Sequence, residues 1–415
     1  MKPRFFVSAA MAVLSAIASA TAQEAEIFRL MDEAITATPE TEIARADVDR
    51  ARAVGNQLTA GPYEFELAAS GGHRRVEDPL LPDMGFNEWS LDLSRTVRLP
   101  EKRRIDSTLA GVELEIAEAQ RDAMHVAERL EFVTRWNDWY HWTALSETSL
   151  QLAESAQRLA RFEQDKADAG SGRQIEADLL AAEARGAQLA AEDDRLRAEA
   201  ARTSLLQRYP GITLPDAPPQ LEITGPQLND IMSAPLAAVT VTRPTALEAE
   251  RARLQLRRKK ADRLPDPTFG VGLRNEFGGD ETAVVATFSI PLGGQARRSR
   301  ADEATAQARI AAANQRRVLW RLEQTSADAR LRLDRADRLL AGAQATFELT
   351  VSALDRLEAG YALGEIRIDN LMTVRRRVVE AARIVAEQGA LRQAAYLELL
   401  VLSDQVPVTK DLPQP

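Results

Sequence analysis

Two long stretches of the 415-residue chain carry apolar or small side chains three and four residues apart, without an intervening proline. In the first stretch these residues are Leu109, Val112, Ile116, Ala119, Ala123, Val126, Leu130 and Val133. The second stretch repeats the spacing from Leu319 to Leu357. Heptad spacing of this kind predicts coiled-coil helices, and helices of about 65 residues would be roughly 100 Å long. The spacing alone leaves a two-helix coil and a wider helical cylinder both open.

The long stretches belong to an internal duplication, in which the same order of features returns after about 190 to 205 residues. The first repeat (23–208) is a helix, strands at about 62–75 and 86–99, a long helix at about 101–168, a tip turn at 169–173 and a helix at 174–208. The second repeat (246–403) is again a helix, strands at about 267–277 and 282–291, a long helix at about 295–359, a tip turn at 360–365 and a helix at 366–403. The prolines of residues 209–245 predict a linker that no long helix crosses. Residues 404–415 are predicted to be a flexible tail.

The first 22 residues are predicted to be a secretory signal peptide. Lys2 and Arg4 precede an apolar run that ends in small residues, and cleavage after Ala22 would leave a chain beginning at Gln23. No later apolar run approaches the roughly 18 residues that a membrane helix needs. The mature chain is therefore expected to be periplasmic or extracellular, or to cross a membrane as β-strands.

Composition argues against several classes of function. The chain has no cysteine, which excludes disulfides, thiolate metal sites and a cysteine nucleophile. Its three histidines, His73, His125 and His141, are far apart and argue against a zinc site. There is no phosphate-binding glycine loop and no Gly-x-Ser-x-Gly motif, and a net charge of -9 argues against general nucleic-acid binding. We expect no enzymatic activity, no cofactor and no resident metal.

The four predicted strands alternate apolar and polar residues. The apolar positions are Tyr63, Phe65, Leu67 and Ala69; Trp89, Leu91 and Leu93; Phe269, Val271 and Leu273; and Val284, Ala286, Phe288 and Ile290. Each strand is long enough to cross a membrane at a tilt, and Tyr63 and Trp89 suit an interfacial aromatic belt. Two hairpins packed on a soluble core are the alternative. Four strands cannot close a barrel, so strands in a membrane would have to be pooled from several chains.

The chain resembles the TolC family of outer-membrane factors, the exit ducts of tripartite efflux pumps and type I secretion systems. The residues that carry the resemblance are the duplicated architecture, Gly360-Tyr361-Ala362-Leu363-Gly364-Glu365 and Ser289-Ile290-Pro291-Leu292-Gly293-Gly294. It covers nearly all of the mature chain. The resemblance implies a mainly α fold with a membrane β part. In it, a homotrimer would combine four strands per protomer into a twelve-stranded outer-membrane β-barrel, and the long coiled-coil helices would form a periplasmic helical barrel.

The function implied by the resemblance is passive conduction through the outer membrane of a Gram-negative bacterium. An inner-membrane pump, of the RND class, and a periplasmic adaptor (membrane fusion protein) would supply the coupling, with outer-membrane lipids around the barrel. Drugs, metal cations and secreted polypeptides all remain open as cargo. A soluble periplasmic coiled-coil tether or adaptor is the rival, since heptads would suffice for it, but it leaves two matched pairs of amphipathic strands unexplained.

The resemblance also implies roles for the two tip turns. The expected adaptor-contacting residues are Gly170, Gly172, Gly360, Tyr361 and Gly364. The expected periplasmic aperture residues are Glu365, Asp369, Asn370 and Thr373. Relatives commonly carry acidic rings there, so Asn370 and Thr373 depart from the pattern and put cation gating in doubt. Asp369 could instead cap the helix that follows the turn.

Basic residues gather at every junction between a strand and a helix. With Tyr63 and Trp89, we expect Arg103, Arg104, Lys259 and Lys260 to mark the membrane interface, where long basic side chains reach lipid phosphates. The alternative is that the basic residues are solvated and pair with nearby Asp and Glu. A further cluster, Trp136, Trp139, Tyr140 and Trp142, is expected to pack rather than to stack on a ligand, because it has helical spacing.

Overall fold

The computed structural model describes residues 23–76, 84–234, 238–363 and 365–403. The predicted signal peptide, the predicted tail and Gly364 lie outside these residues. The elements are α1 (residues 23–36), α2 (Pro39–Ala60), β1 (Phe65–Val76), β2 (Met84–Thr96), α3 (Pro100–Asp168), α4 (Gln174–Arg208), α5 (Gly225–Ser233), α6 (Ala238–Ala261), β3 (Thr268–Glu276), β4 (Glu281–Ser289), α7 (Gln295–Ala362) and α8 (Ile368–Leu402). A short 3-10 turn, Phe277–Gly279, joins β3 to β4.

The two long helices are α3, with 69 residues, and α7, with 68 residues. Their buried positions follow the predicted stripe, as at Leu109, Val112 and Ile116 in α3. Together with the four strands, they confirm a mainly α fold that carries a β part. None of the described helices is long and apolar enough to span a membrane.

The structure differs from the sequence prediction at two helix boundaries. Helix α6 begins at Ala238 and includes Pro244, so the predicted linker does not extend to residue 245. Pro244 lies near the start of α6, and its missing N–H leaves only the carbonyl of Thr240 without its helical donor. Helix α7 continues through Gly360 to Ala362, because a glycine inside a helix costs only about 1 kcal/mol.

The chain divides into two compact units. The helical unit comprises the described residues of Met1–Glu42, Met124–Ala238 and Arg321–Pro415. The sheet unit comprises Ile43–Ala123 and Val239–Trp320. Each unit draws on both sequence repeats, because the long helices α3 and α7 run from one unit into the other.

The core of the helical unit forms around the aromatic cluster of α3. Trp136 is fully buried and stacks on Phe132, with ring centroids 5.8 Å apart. Trp139 meets Trp136 edge to face at 5.2 Å. Residues of α1, α4 and α8 complete this core, among them Phe28, Leu205 and Leu397. Trp142 is partly exposed, and the guanidinium of Arg197 lies 4.8 Å from its ring centroid. These contacts are packing contacts, as the helical spacing predicts.

The sheet unit contains one antiparallel sheet in the order β1-β2-β3-β4. The pairing of β2 with β3 joins the two repeats, with Thr96 opposite Thr268 and Trp89 opposite Asn275. The parts of helices α2, α3, α6 and α7 that lie in this unit carry small buried residues such as Ala51, Ala117 and Ala301. Short junctions connect the sheet to the long helices, since β2 ends at Thr96 and α3 begins at Pro100.

Candidate functional site

The register of the sheet collects the apolar strand residues on one face. Directly opposite residues of neighbouring strands point to the same side of a sheet. The resulting rows are Phe65, Arg95, Phe269 and Phe288; Leu67, Leu93, Val271 and Ala286; and Ala69, Leu91, Leu273 and Val284. A further row, Gly71, Trp89, Asn275 and Thr282, follows. The alternation that the sequence predicts thus becomes one continuous apolar face.

The apolar face is uncovered within the described chain. Val284 is 79% exposed, Leu67 67% and Phe288 62%. From Trp89 in β2 to Val97, the first residue after that strand, the face is about 26 Å long at roughly 3.3 Å per residue. That height is close to the apolar band of about 25 Å on membrane-spanning strands. Two hairpins packed on a soluble core would bury these side chains, so that alternative does not describe this sheet.

The opposite face of the sheet is polar. Ser70 and Ser90 share a hydrogen bond of 2.9 Å, Thr96 and Thr268 share one of 2.7 Å, and Ser90 donates to Asp92 at 3.0 Å. Glycine makes room for Asp92, since a Cβ atom at Gly272 would clash with Asp92 Oδ1. This face therefore suits contact with water.

The sheet has two unpaired edges in the part of the chain that the structure describes. Strands β1 and β4 are the outer strands of the four. Each presents a row of backbone N–H and C=O groups that a further strand could pair with. In hydrocarbon such edges are not tolerated, so a membrane location would require partners for both.

At the junction of strands and helices, three acidic residues neutralise part of the basic cluster. Lys102 is 2% exposed, and its Nζ lies 3.0 Å from Asp266 Oδ1 and 3.4 Å from Asp262 Oδ1. The hydroxyl of Tyr63 donates to Asp266 at 2.9 Å, and the N–H of Leu99 donates at 3.0 Å. Burial raises the pKa of Asp266, but the hydrogen bonds from Leu99, Lys102 and Tyr63 outweigh it and hold the pKa below its usual value.

A second set of ion pairs extends this network. Arg98 Nη1 lies 2.7 Å from Asp106 Oδ2, and Arg258 Nε lies 2.7 Å from Asp106 Oδ1. Arg258 also pairs with Asp262. For Arg98, Lys102 and Arg258, the alternative of pairing with nearby carboxylates is therefore correct.

The predicted membrane-interface residues are placed differently from these paired cations. Arg103, Arg104, Lys259 and Lys260 are exposed, and none forms an ion pair with a residue of the described ranges. Trp89 is 49% exposed on the apolar face. Tyr63 is partly buried, and its hydroxyl donates the hydrogen bond to Asp266 described above. Contact of these residues with lipid stays a prediction.

The first tip turn depends on two glycines. Gly170 has a φ of +73°, a conformation that costs other residues about 1–2 kcal/mol. The carbonyl of Lys166 accepts the N–H groups of Ser171, at 3.0 Å, and of Gly172, at 2.9 Å. A Cβ atom at Gly172 would lie 3.0 Å from the backbone nitrogen of Ala167. The turn therefore ends α3 sharply and leads directly to α4.

The second tip turn packs tightly around Gly360. Its carbonyl accepts the N–H of Glu365 at 2.9 Å, and a Cβ atom there would lie 2.7 Å from Ile366 Cγ1. Tyr361 is 5% exposed, with Lys166 Nζ 5.2 Å from its ring centroid. Burial, followed by the negative charge of Glu163, raises the pKa of the Tyr361 hydroxyl. Tyr361 thus faces the helix core. Among the predicted contact residues that the structure describes, Gly170 is exposed, whereas Gly172 and Gly360 are partly buried.

The predicted aperture residues are all exposed at the start of α8: Glu365, Asp369, Asn370 and Thr373. Helix α8 begins at Ile368 with Arg367 as its N-cap, so the alternative of Asp369 as the cap is wrong. Asp369 Oδ2 instead lies 2.8 Å from Arg367 Nη2. The charges of this pair cancel, and Glu365 leaves residues 365–373 with a net charge of -1.

Comparison with solved structures finds matches across most of the chain, although no protein-family model and no curated protein matches it. The outer-membrane channel OprN aligns with a TM-score of 0.75 and 16% identity, covering 91% of this chain and 89% of that chain. The outer membrane protein VceC of Vibrio cholerae gives 0.74 and 16%, covering 91% and 96%. CusC, described as forming a transmembrane channel, gives 0.72 and 13%, covering 91% of both chains. The chain has the fold of the TolC-family outer-membrane channels. The mainly α fold with long helices and a four-stranded sheet, which the resemblance implies for one chain, is thereby confirmed.

Within the TolC-type fold, two functional features were not evident in the sequence. Asp106, Asp262 and Asp266 neutralise basic junction residues, and only the i, i+4 spacing of Arg258 and Asp262 signals such a pair. The register between β2 and β3, which unites the apolar face, also has no local sequence signal. Among the described residues, no group of three or more His, Asp or Glu side chains could hold a metal ion.

Proposed function

We propose that the chain is a trimeric channel of the outer membrane of a Gram-negative bacterium, and the exit duct of a tripartite efflux system. The observation that carries the proposal is the exposed apolar face of a four-stranded sheet with two open edges. If the chain were a soluble monomer, every apolar side chain of that face would contact water. A contiguous apolar surface of this kind is rare on soluble monomers. Surrounding lipid would cover the apolar face, and strands of partner chains would pair with the two open edges.

In the proposed assembly, three copies pool their sheets into one closed sheet of twelve strands. Twelve strands exceed the roughly eight that closure needs, and a sheet of this size can surround an aqueous passage. The apolar face would contact lipid. The polar face, with Ser90 and Asp92, would line the water.

The helices support a homotrimer as well. Large apolar side chains on α4 and α7 are exposed in the single chain, including Leu189 at 73%, Leu331 at 67% and Leu349 at 73%. Neighbouring copies would cover them, and the helices would extend the passage into the periplasm. The tip turns, with Gly170, Gly172 and Gly360, would meet a periplasmic adaptor.

The channel would be a passive conduit. The sequence has no nucleotide-binding motif, so an inner-membrane pump would supply the energy through the adaptor. We infer the RND class of pump from the resemblance alone. The cargo would be small molecules, either drugs or metal cations. The solved neighbours are channels, which supports a non-enzymatic role. A soluble coiled-coil tether is disfavoured by the uncovered apolar face.

The proposal is tested by the native mass of the protein extracted in detergent from separated outer membranes. We expect a mass of three chains from that fraction. A monomer in the soluble periplasmic fraction would overturn the channel and leave the tether. A trimer in the inner membrane would contradict the location alone.

The exposed cations at the junctions provide a second test of the membrane location. Replacing Arg103, Arg104, Lys259 and Lys260 together by Gln should reduce the amount of protein inserted in the outer membrane, because these side chains would no longer reach lipid phosphates. Pulse labelling followed by membrane fractionation measures this amount. Unchanged insertion would show that these four residues do not anchor the protein.

A further inference from the structure

We propose that the start of α7 binds the headgroup of an anionic phospholipid in a basic recess formed by Arg263, Arg297 and Arg298. The inference rests on the proposed function, because it requires the apolar sheet face to contact a bilayer. It goes beyond a general basic belt by assigning one site, one repeat and one class of ligand.

The recess lies beside the turn that leads from β4 into α7. It has a volume of about 910 Å3, and its lining includes Arg263, Arg297, Arg298, Asp302 and the pair Gly293–Gly294. Three guanidinium groups against one carboxylate give the lining a positive charge. The two glycines place no side chain in the recess. The N–H of Arg297 donates to the carbonyl of Gly294 at 3.2 Å, and the N–H groups that precede it in α7 have no partner within the helix. The site therefore suits an anion of headgroup size.

The arginines of the recess form no ion pair with a described residue. Arg263 and Arg298 are exposed, and no carboxylate of a described residue lies within 4.0 Å of their side-chain nitrogens. Arg297 Nη1 donates only to the backbone carbonyl of Asp262, at 3.3 Å. Guanidinium groups bind phosphate oxygens in bidentate fashion and are weakly hydrated, so free arginines favour a phosphate ligand.

The matching position of the first repeat is different. At the start of α3, Lys102 is buried against Asp262 and Asp266, and Arg98 is paired with Asp106. The two junctions are alike in sequence, since both follow a strand and carry several basic residues. The first junction has a smaller recess of about 400 Å3 that includes Arg95, Arg98 and Arg103 in its lining. In that recess Arg98 is paired with Asp106, and the guanidinium of Arg95 lies 4.7 Å from the ring centroid of Phe65. In the recess of the second junction no arginine forms an ion pair with a described residue.

An apolar surface leads from the sheet to the recess. The apolar positions of β4 have even numbers, and the series continues past the strand to Ile290, which is 44% exposed, and Leu292, which is 94% exposed. Leu264, next to Arg263, is 64% exposed. Acyl chains along these residues would bring a phosphate to the arginines. This continuity favours a phospholipid over a free phosphate, and the net positive charge favours an anionic headgroup.

Native mass spectrometry of the detergent-purified protein tests the site. The probes are phosphatidylglycerol, phosphatidylethanolamine with the same acyl chains, and inorganic phosphate. We expect phosphatidylglycerol to be retained over phosphatidylethanolamine, and Arg263→Gln with Arg298→Gln to lower its affinity roughly tenfold. Both side chains are exposed and neither forms an ion pair with a described residue, so we expect the variant to fold.

One control variant separates the site from general charge. Arg316→Gln with Arg317→Gln removes an exposed arginine pair farther along α7. This control should retain the lipid. Equal loss in the control, no headgroup preference, or displacement by inorganic phosphate would each overturn the site. A wild-type protein absent from the outer membrane would overturn the channel proposal itself, whereas a trimer there without lipid preference would overturn only this inference.

Discussion

At the residue scale, the start of α8 carries one exposed ion pair, between Arg367 and Asp369. Arg367 and Asp369 are 83% and 68% exposed at their side chains, so their attraction contributes little to stability. Either residue can therefore be replaced without loss of the fold. Their charges would nevertheless act on ions that pass close to them.

Opposite changes to this pair should move ion preference in opposite directions. In channels reconstituted in planar bilayers, Asp369→Ala should lower the preference for cations and Arg367→Gln should raise it. Reversal potentials in a potassium chloride gradient measure both effects. Asp355→Ala, an exposed carboxylate on α7, serves as the control. Reversal potentials that stay the same in both variants would remove the pair from the conducting path.

Glu24 is a buried carboxylate whose titration affects the helical unit. Its Oε1 accepts hydrogen bonds from the hydroxyl of Tyr396 and from Gln227 Nε2, each at 3.0 Å. Burial raises the pKa of Glu24, and the bond from Tyr396 offsets this only in part. Because the folded state holds this proton more strongly than the unfolded state, the stabilisation is complete at pH below 4.5 and is lost as the pH rises through the folded pKa.

Glu24→Gln should therefore raise the Tm at pH 7 by a few degrees and have little effect at pH 4. Circular dichroism of the detergent-solubilised protein at the two pH values measures the difference. Glu26→Gln is the matched control, since the hydrogen bond from Arg29 lowers the pKa of Glu26 and predicts the opposite sign at pH 7. A lower Tm for Glu24→Gln at pH 7 would mean that the carboxylate is stabilised in its charged form.

At the element scale, β4 offers two adjacent valines on opposite faces of the sheet. Val284 is opposite Leu273 on the apolar face, and Val285 is opposite Gly272 on the polar face. The proposed orientation makes Val284 contact lipid and Val285 contact water. The two positions therefore separate the two environments with a single residue type.

Lysine at these two positions should have different effects. Val284→Lys would place a charge in hydrocarbon, at a cost of about 2 kcal/mol for a depth between the midplane and the interface. Val285→Lys should be tolerated, because water and the carboxylate of Asp92 lie on that side. The yield of trimer in outer membranes measures both variants. Equal yields would contradict the assigned faces.

The sequence predicted most of the elements because their signals are local. Heptad spacing identified α3 and α7, and alternation identified all four strands, since each pattern follows directly from helix or strand geometry. Boundaries were less accurate where context decides, as at Pro244, which lies inside α6. The identity of the neutralised cations was not predictable, because Lys102 meets Asp266 only after the two repeats have paired.

At the scale of the whole molecule, the open edges determine what the chain can assemble into. The edge of β1 and the edge of β4 are different surfaces, so pairing one with the other on the next copy is a head-to-tail contact. Such contacts form a ring when the rotation closes and a filament when it does not. Lipid around the sheet leaves closure as the stable outcome, and the proposed trimer is that ring.

Engineered disulfides between the edges test closure directly, because the chain has no cysteine of its own. Ala69→Cys in β1 would be combined in turn with Val284→Cys, Ala286→Cys or Phe288→Cys in β4. The three combinations sample different registers between β1 of one copy and β4 of the next. Within one chain these strands are three spacings apart, about 14 Å, which exceeds the reach of a disulfide. After oxidation in outer membranes, at least one pair should therefore give a covalent trimer on a denaturing gel, while Ala69→Cys alone should stay monomeric. A ladder that continues beyond three chains would indicate an open filament, and monomers at every register would mean that β1 and β4 do not meet.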